Sequence, residues 1–146
     1  MDYSIRPGEI AGTLPEGFDA GLYFIGRIRT PWTERRDCPH RGAHDGPLCR
    51  IEIDERWRPA MAGLEGREFV QVLYFMHQAR RDLLVQAPKG RKATFGTFAL
   101  RSPVRPNPIA SSVVKLEAFE AGALIVLGLD CLDGTPLLDI KPHDSR

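Results

Sequence analysis

Apolar positions in this chain fall in short runs with alternating character, and only two stretches carry a helical spacing. Segments rich in β-branched and aromatic residues cover 22–29, 49–53, 69–76, 94–100, 113–119, 123–130 and 137–140, which predicts strands. Gly- and Pro-bearing stretches separate them, as in a barrel or sandwich. Gly122, between the fifth and sixth of these segments, marks a hairpin. Helix is scarce: the pattern predicts a short one over 76–85 and a turn or two over 54–65. Residues 1–20 carry Pro7, Gly8, Gly12, Pro15 and Gly17 with little periodicity, so they read as an N-terminal arm. Residues 21–146 then form one domain. The fold class is mostly β: a small single-domain β-barrel with few short helices.

The length of 146 residues suits one domain with a hydrophobic core. No apolar run reaches the ~20 residues of a membrane span, and the first residues lack a signal-peptide layout, so a cytoplasmic protein without membrane attachment is expected. Three cysteines, Cys38, Cys49 and Cys131, are too few and odd in number for a disulfide framework. Net charge is only +1, but it is unevenly spread. His77 to Arg105 holds seven Lys and Arg against one acid, Asp82, a net +6 that leaves −5 for the rest. Such a stretch suits a phosphate backbone, and equally reads as a solvated arginine-rich loop.

Three loops carry unusual chemistry. Residues 100–112 contain Arg101-Ser-Pro-Val-Arg105-Pro-Asn107-Pro. Its prolines force an extended or turned backbone, and a pre-ordered loop loses less entropy on clasping a ligand. Arg101 and Arg105 offer planar forks for carboxylate or phosphate, and Asn107 could read a base edge or cap the turn. The plain alternative is a rigid connection with solvated arginines. Residues 130–142 place Asp133-Gly134, the preferred pair of a type I′ turn, between two β segments. Further on, Asp139 and Lys141 flank Ile140 and share a strand face, as an ion pair or a proton-transfer pair. Residues 37–47 include Cys38, His40 and His44 ahead of Cys49. These could ligate zinc in principle, but a close CxxC pair is missing and Arg41 would repel a cation, so no metal is expected. Pro39-His40-Arg41-Gly42 reads instead as a ligand-lining turn. His77, at a strand end, is either structural or a base-edge contact.

Two strings, Arg101-Ser-Pro-x-Arg105-Pro-Asn107-Pro-Ile109 and Leu129-Asp-x-Leu-Asp133-Gly134-Thr135-Pro136-x-x-Asp139-Ile140-Lys141-Pro142, stand in this order in the chain. With them the sequence resembles the TsaA-like, TrmO-type family of SAM-dependent tRNA methyltransferases. The resemblance runs from Gly26-Arg-Ile-Arg-Thr-Pro31 to Pro142, with weaker support from Gly63-Leu-Glu-Gly66 and Phe75-Met-His77-Gln78. It implies a dimerising β-barrel, not a Rossmann-type methyltransferase, in keeping with the absence of a GxGxG signature after a first strand. It implies S-adenosyl-L-methionine (SAM) as cofactor and, as substrate, N6-threonylcarbamoyladenosine beside the anticodon of tRNA. The cofactor contacts it implies are Pro39, His40 and Arg41; His77 and Gln78; Arg101; Ser111; and Leu132, Asp133, Gly134 and Thr135. It assigns no catalytic residue, and Asp133, Asp139 and His77 are the candidate bases.

Several positions depart from the family pattern. The first loop, usually Pro-Arg-Gln, reads Pro39-His40-Arg41; Ala110-Ser111 replaces Gly and a large apolar residue; His143 stands where Tyr is common. Longer members carry a C-terminal domain thought to grip tRNA, beyond the position of Arg146. Two alternative functions follow: a SAM-using enzyme acting on a small molecule, and a non-catalytic SAM- or metal-binding module.

Overall fold

The computed structural model describes residues 4–144; residues 1–3 of the expected arm lie outside them. Its strands are β1 (Ile10–Ala11), β2 (Gly26–Arg29), β3 (Cys49–Ile53), β4 (Phe69–Phe75), β5 (Leu83–Gln86), β6 (Phe95–Gly96), β7 (Ile109–Glu120), β8 (Ala123–Leu127) and β9 (Thr135–His143). Helical structure among the described residues is limited to 3-10 turns over Arg35–Asp37, Glu55–Met61 and Thr97–Ala99, and none of it is long and apolar enough to cross a membrane. The chain divides into two compact units. One holds the residues up to Gly21 with Met76–Ile109, and the other holds Leu22–Phe75 with the residues from Ala110 onward.

The larger unit is a closed barrel in the order β2-β3-β8-β7-β4-β9. Period-two alternation builds it. Cys49, Ile51 and Ile53 of β3 turn inward and are buried, as are Val70, Val72 and Tyr74 of β4. Between them Arg50 and Glu52 face out, where Arg29 Nε bonds Glu52 at 2.6 Å and Arg50 Nη1 bonds Glu120 at 2.6 Å. Ile28, Ile51, Val70, Val72, Val114, Leu124, Val126 and Leu137 have no exposed surface, and each contributes about 1.5–3 kcal/mol by leaving water. The hairpin expected at Gly122 joins β7 to β8, with Lys115 to Glu120 paired against Ala123 to Leu127.

The smaller unit is a three-stranded sheet, β1-β5-β6. The helix expected over 76–85 is not there: a turn at His77-Gln78 is followed by β5. β5 finds its partners far along the chain, Leu83 against Ala11 and Val85 against Gly96, and those pairings override the local pattern. The strand expected over 94–100 shrinks to Phe95–Gly96 because Thr97 turns the chain into a 3-10 turn. The Thr97 hydroxyl donates to the Leu83 carbonyl at 2.7 Å and accepts from the buried Gln86 amide at 3.0 Å. Gln86 also donates to the Val104 carbonyl at 2.7 Å, tying the proline-rich loop to β5.

Candidate functional site

The expected site residues fall in both units. Pro39, His40, Arg41, Ser111 and Leu132 to Thr135 belong to the barrel; His77, Gln78 and Arg101 belong to the smaller unit.

In the barrel, two loops are fixed next to one another. The first follows the 3-10 turn Arg35–Asp37, whose end is closed by the Cys38 amide donating to the Arg35 carbonyl. Farther on, a Cβ on Gly42 would lie 1.8 Å from the carbonyl oxygen of Gly128, so only glycine lets the two backbones meet. His44 Nε2 bonds the Val113 carbonyl at 3.1 Å and its ring lies 5.4 Å from that of Phe69. Pro39, His40 and Arg41, ahead of this anchor, are exposed.

The second loop runs from Gly128 to β9 and is held by hydrogen bonds to the chain around β2. The Asp133 amide donates to the Trp32 carbonyl at 2.8 Å and the Gly134 amide to the Ile28 carbonyl at 2.7 Å. The Thr30 amide donates to Asp133 Oδ1 at 3.1 Å, and the Thr30 hydroxyl to the Cys131 carbonyl at 2.8 Å. The Thr135 amide closes on the Leu132 carbonyl at 3.2 Å, and of the two residues enclosed only Gly134 has positive φ, at 82°. That is the signature of a type II turn, not the type I′ turn expected, because β8 and β9 do not pair with each other and the loop need not match a hairpin twist. Thr135 is buried and its hydroxyl is committed to the Leu132 carbonyl at 2.7 Å, whereas Asp133 is exposed.

Asp130, which sequence reasoning passed over, sits near the start of this second loop. Its Oδ1 accepts from the Tyr74 hydroxyl at 2.8 Å, and the same hydroxyl oxygen lies 2.7 Å from Ser112 Oγ. Burial, reinforced by the neighbouring Asp130 carboxylate, pushes the Tyr74 phenol far above its ordinary range, so it stays a donor. Cys38, next to Pro39, also feels Asp130: burial first, then the Asp130 and Asp37 carboxylates, raises its thiol. The available signal was Tyr74 itself. A tyrosine at an inward position of an alternating strand needs a partner for its hydroxyl. Ser111, one residue before Ser112, accepts from the Gln71 amide at 2.9 Å.

The remaining candidates resolve differently. Asp139 pairs with Lys141 at 2.9 Å and accepts the Ile140 amide at 2.9 Å, so both of its oxygens are engaged and the ion-pair reading holds. Burial pushes the Cys49 thiol up to about 11 and the Cys131 thiol up to about 12, leaving both protonated at neutral pH. Among the described residues no group of three His, Cys, Asp or Glu could hold a metal ion. In the smaller unit His77, Gln78 and Arg101 are exposed. Arg105 is partly committed within its own loop: its Nη1 donates to the Leu100 and Ser102 carbonyls at 2.8 and 3.0 Å. Asn107 Oδ1 likewise accepts from Arg81 at 3.3 Å.

Comparison with known proteins places this geometry in a family. Residues 27–146 match the model of the tRNA-methyltransferase O N-terminal domain. The "Probable S-adenosyl-L-methionine-binding protein VirR" of Rhizobium radiobacter is 49% identical over 141 residues, 97% of this chain and 81% of that protein. An "S-adenosyl-L-methionine-binding protein" of Archaeoglobus fulgidus is 36% identical over 122 residues, 84% of this chain and 88% of that one. The crystal structure of TrmO from Pseudomonas aeruginosa superposes with a TM-score of 0.71 at 36% identity, covering 87% of this chain. This chain spans 57% of the length of that structure. With the matched region running through every strand of the closed barrel, the chain belongs to the tRNA-methyltransferase O N-terminal domain family.

Proposed function

We propose that this protein is a SAM-dependent methyltransferase acting on the exocyclic amine of N6-threonylcarbamoyladenosine beside the tRNA anticodon. The observation that carries the reading is the Gly42–Gly128 contact, which joins the loop that carries 39–41 to the start of the loop that carries 132–135 in a chain of this family. The exposed residues there suit the charges of SAM. His40 and Arg41 offer donors for a carboxylate. Asp133 spends one oxygen on Thr30 and offers the other to an ammonium, a hydroxyl or the positive sulfonium. The braced turn at Leu132 to Thr135 supplies a fixed backbone. His77, Gln78 and Arg101 stay in the proposal on the resemblance alone.

Bound SAM supplies the methyl group. The chain's residues have to align the acceptor and receive its proton as the N–C bond forms and the S–C bond breaks. Of the carboxylates, Asp139 is spent on Lys141, and the open oxygen of Asp133 is assigned to SAM. Asp130 fits the role of base better, held by Tyr74 through one oxygen. The exposed Lys89, Arg91 and Lys92 of the smaller unit are proposed to meet anticodon-loop phosphates, a partnership that belongs in the cytoplasm. A homodimer is proposed on the resemblance, with the exposed Leu22 and Tyr23 of the barrel as candidate contacts; Tyr23→Glu should then sediment as a monomer.

The VirR and Archaeoglobus relatives are named for SAM binding, which favours a second reading as a SAM-binding module. Incubation with methyl-labelled SAM and tRNA carrying N6-threonylcarbamoyladenosine separates the two. Label in the RNA supports the transferase; SAM binding without transfer supports the module.

A further inference from the structure

We propose that Phe98 is a stacking platform for an unpaired base of an RNA strand whose phosphates run over Lys89, Arg91 and Lys92. The inference rests on the tRNA reading above and names how the smaller unit would grip its partner.

Phe98 is 82% exposed, while Thr97 beside it is 4% exposed. That contrast is built in. Thr97 is pinned by the Leu83 carbonyl and the Gln86 amide, and the Leu100 amide closes the turn on the Thr97 carbonyl at 3.2 Å. The phenyl ring is therefore held out on a short braced turn, and ordering it on binding loses little entropy. A rigid aromatic face accepts any base, which is how single strands are bound without sequence preference.

The charge of the chain on either side of Phe98 selects the partner. From Leu83 to Arg105 the chain contains Lys89, Arg91, Lys92, Arg101 and Arg105 and no acid. Arg105 is turned to the loop's own carbonyls, and the Arg91 guanidinium lies 4.7 Å over the Phe95 ring, showing that this surface already pairs cations with aromatic faces. Lys89, Lys92 and Arg101 are exposed. A second copy meeting this patch across a two-fold axis would bring like charges together. A polyanion with unstacked bases satisfies both the ring and the cations.

The test uses the full chain, a fluorescein-labelled anticodon stem-loop RNA, a fully paired RNA duplex of similar length, and the variants Phe98→Ala and Phe98→Trp. The side chain is exposed, so thermal melting should be unchanged in both. Phe98→Ala should weaken stem-loop binding by roughly 5- to 150-fold, the range for removing one base stack. Phe98→Trp should retain binding. Duplex affinity, SAM affinity and the slope of log K against log salt should barely move, because every phosphate keeps its cation. Unchanged stem-loop binding in Phe98→Ala overturns the proposal, as does an equal weakening on the duplex. A smaller sedimenting species for Phe98→Ala also overturns it, assigning the ring to an interface between copies. If the wild-type chain binds neither RNA, the tRNA reading itself falls, and the proposal with it.

Discussion

Gly42 and Gly128 touch backbone to backbone, with the carbonyl oxygen of Gly128 standing where a Cβ on Gly42 would be, at 1.8 Å. Gly128 itself holds φ at 111° against the His44 ring. The contact fastens the 39–41 loop to the start of the 128–135 loop. Gly42→Ala must separate them, since backbone cannot rotate aside as a side chain can. We expect stability to fall by about 2 kcal/mol or more, Tm by several degrees in calorimetry, and SAM binding to weaken at least ten-fold. Alanine at Gly46, 3.0 Å from the Ala43 carbonyl, should have a smaller effect on SAM.

Tyr74 and Asp130 give a second prediction. Tyr74→Phe removes a buried hydroxyl shared by Asp130 and Ser112, with an expected loss of about 1–3 kcal/mol in urea unfolding. Asp130→Asn keeps an acceptor for the phenol, so the fold and SAM affinity should hold. If Asp130 is the base, this variant should lower kcat about 10²-fold or more without raising KM. A normal kcat in Asp130→Asn would return that carboxylate to a purely structural role.

The buried thiols predict behaviour in alkali. In the unfolded chain a cysteine ionises near its ordinary value of 9.0, but burial holds Cys49 to about 11 and Cys131 to about 12. Below pH 9 both states keep their protons and the thiols contribute no pH dependence. Above it the unfolded chain sheds protons that the folded chain retains, so stability falls, by about 1.4 kcal/mol per pH unit for each thiol, until the folded values are passed. Cys131→Ala should remove one share of that slope between pH 9 and about 12 in chemical denaturation. In the native protein a thiol reagent at pH 8 should reach Cys38, the half-buried one, first.

Charge reversal on the smaller unit separates RNA from cofactor. Arg91→Glu with Lys92→Glu should weaken tRNA binding at least ten-fold and reduce its salt slope, by about 0.7 for each single-strand phosphate no longer neutralised. SAM affinity, measured alongside, should barely move. Equal weakening of both would count against an RNA-binding role for this stretch.

The sequence told most where a residue's neighbours are close in the chain or its alternation is strict. The bounds of β3 coincide with the predicted 49–53 because Cys49, Ile51 and Ile53 alternate with Arg50 and Glu52. The Gly122 hairpin was legible for the same local reason. β5 was not, since its pairing to Ala11 and Gly96 spans most of the smaller unit. Asp133-Gly134 pointed to the right place and the wrong turn, because a dipeptide carries no record of whether its flanking strands pair. Arg105 Nη1 and Asn107 Oδ1 have partners inside their own unit that no local pattern reveals. The role of Asp130 depends on Tyr74, far away in the chain, and the exposure of Phe98 belongs to the fold.

Binding of SAM by the barrel loops can be read from a calorimetric titration of the full chain with SAM. We expect a Kd of about 1–100 μM, roughly −8 to −5.5 kcal/mol. Asp133→Asn, whose amide oxygen can still accept from Thr30, should bind about ten-fold more weakly through loss of charge with the loop intact. No heat and no thermal shift with SAM would contradict the account, and would mean that the altered Pro39-His40-Arg41 loop no longer serves the cofactor.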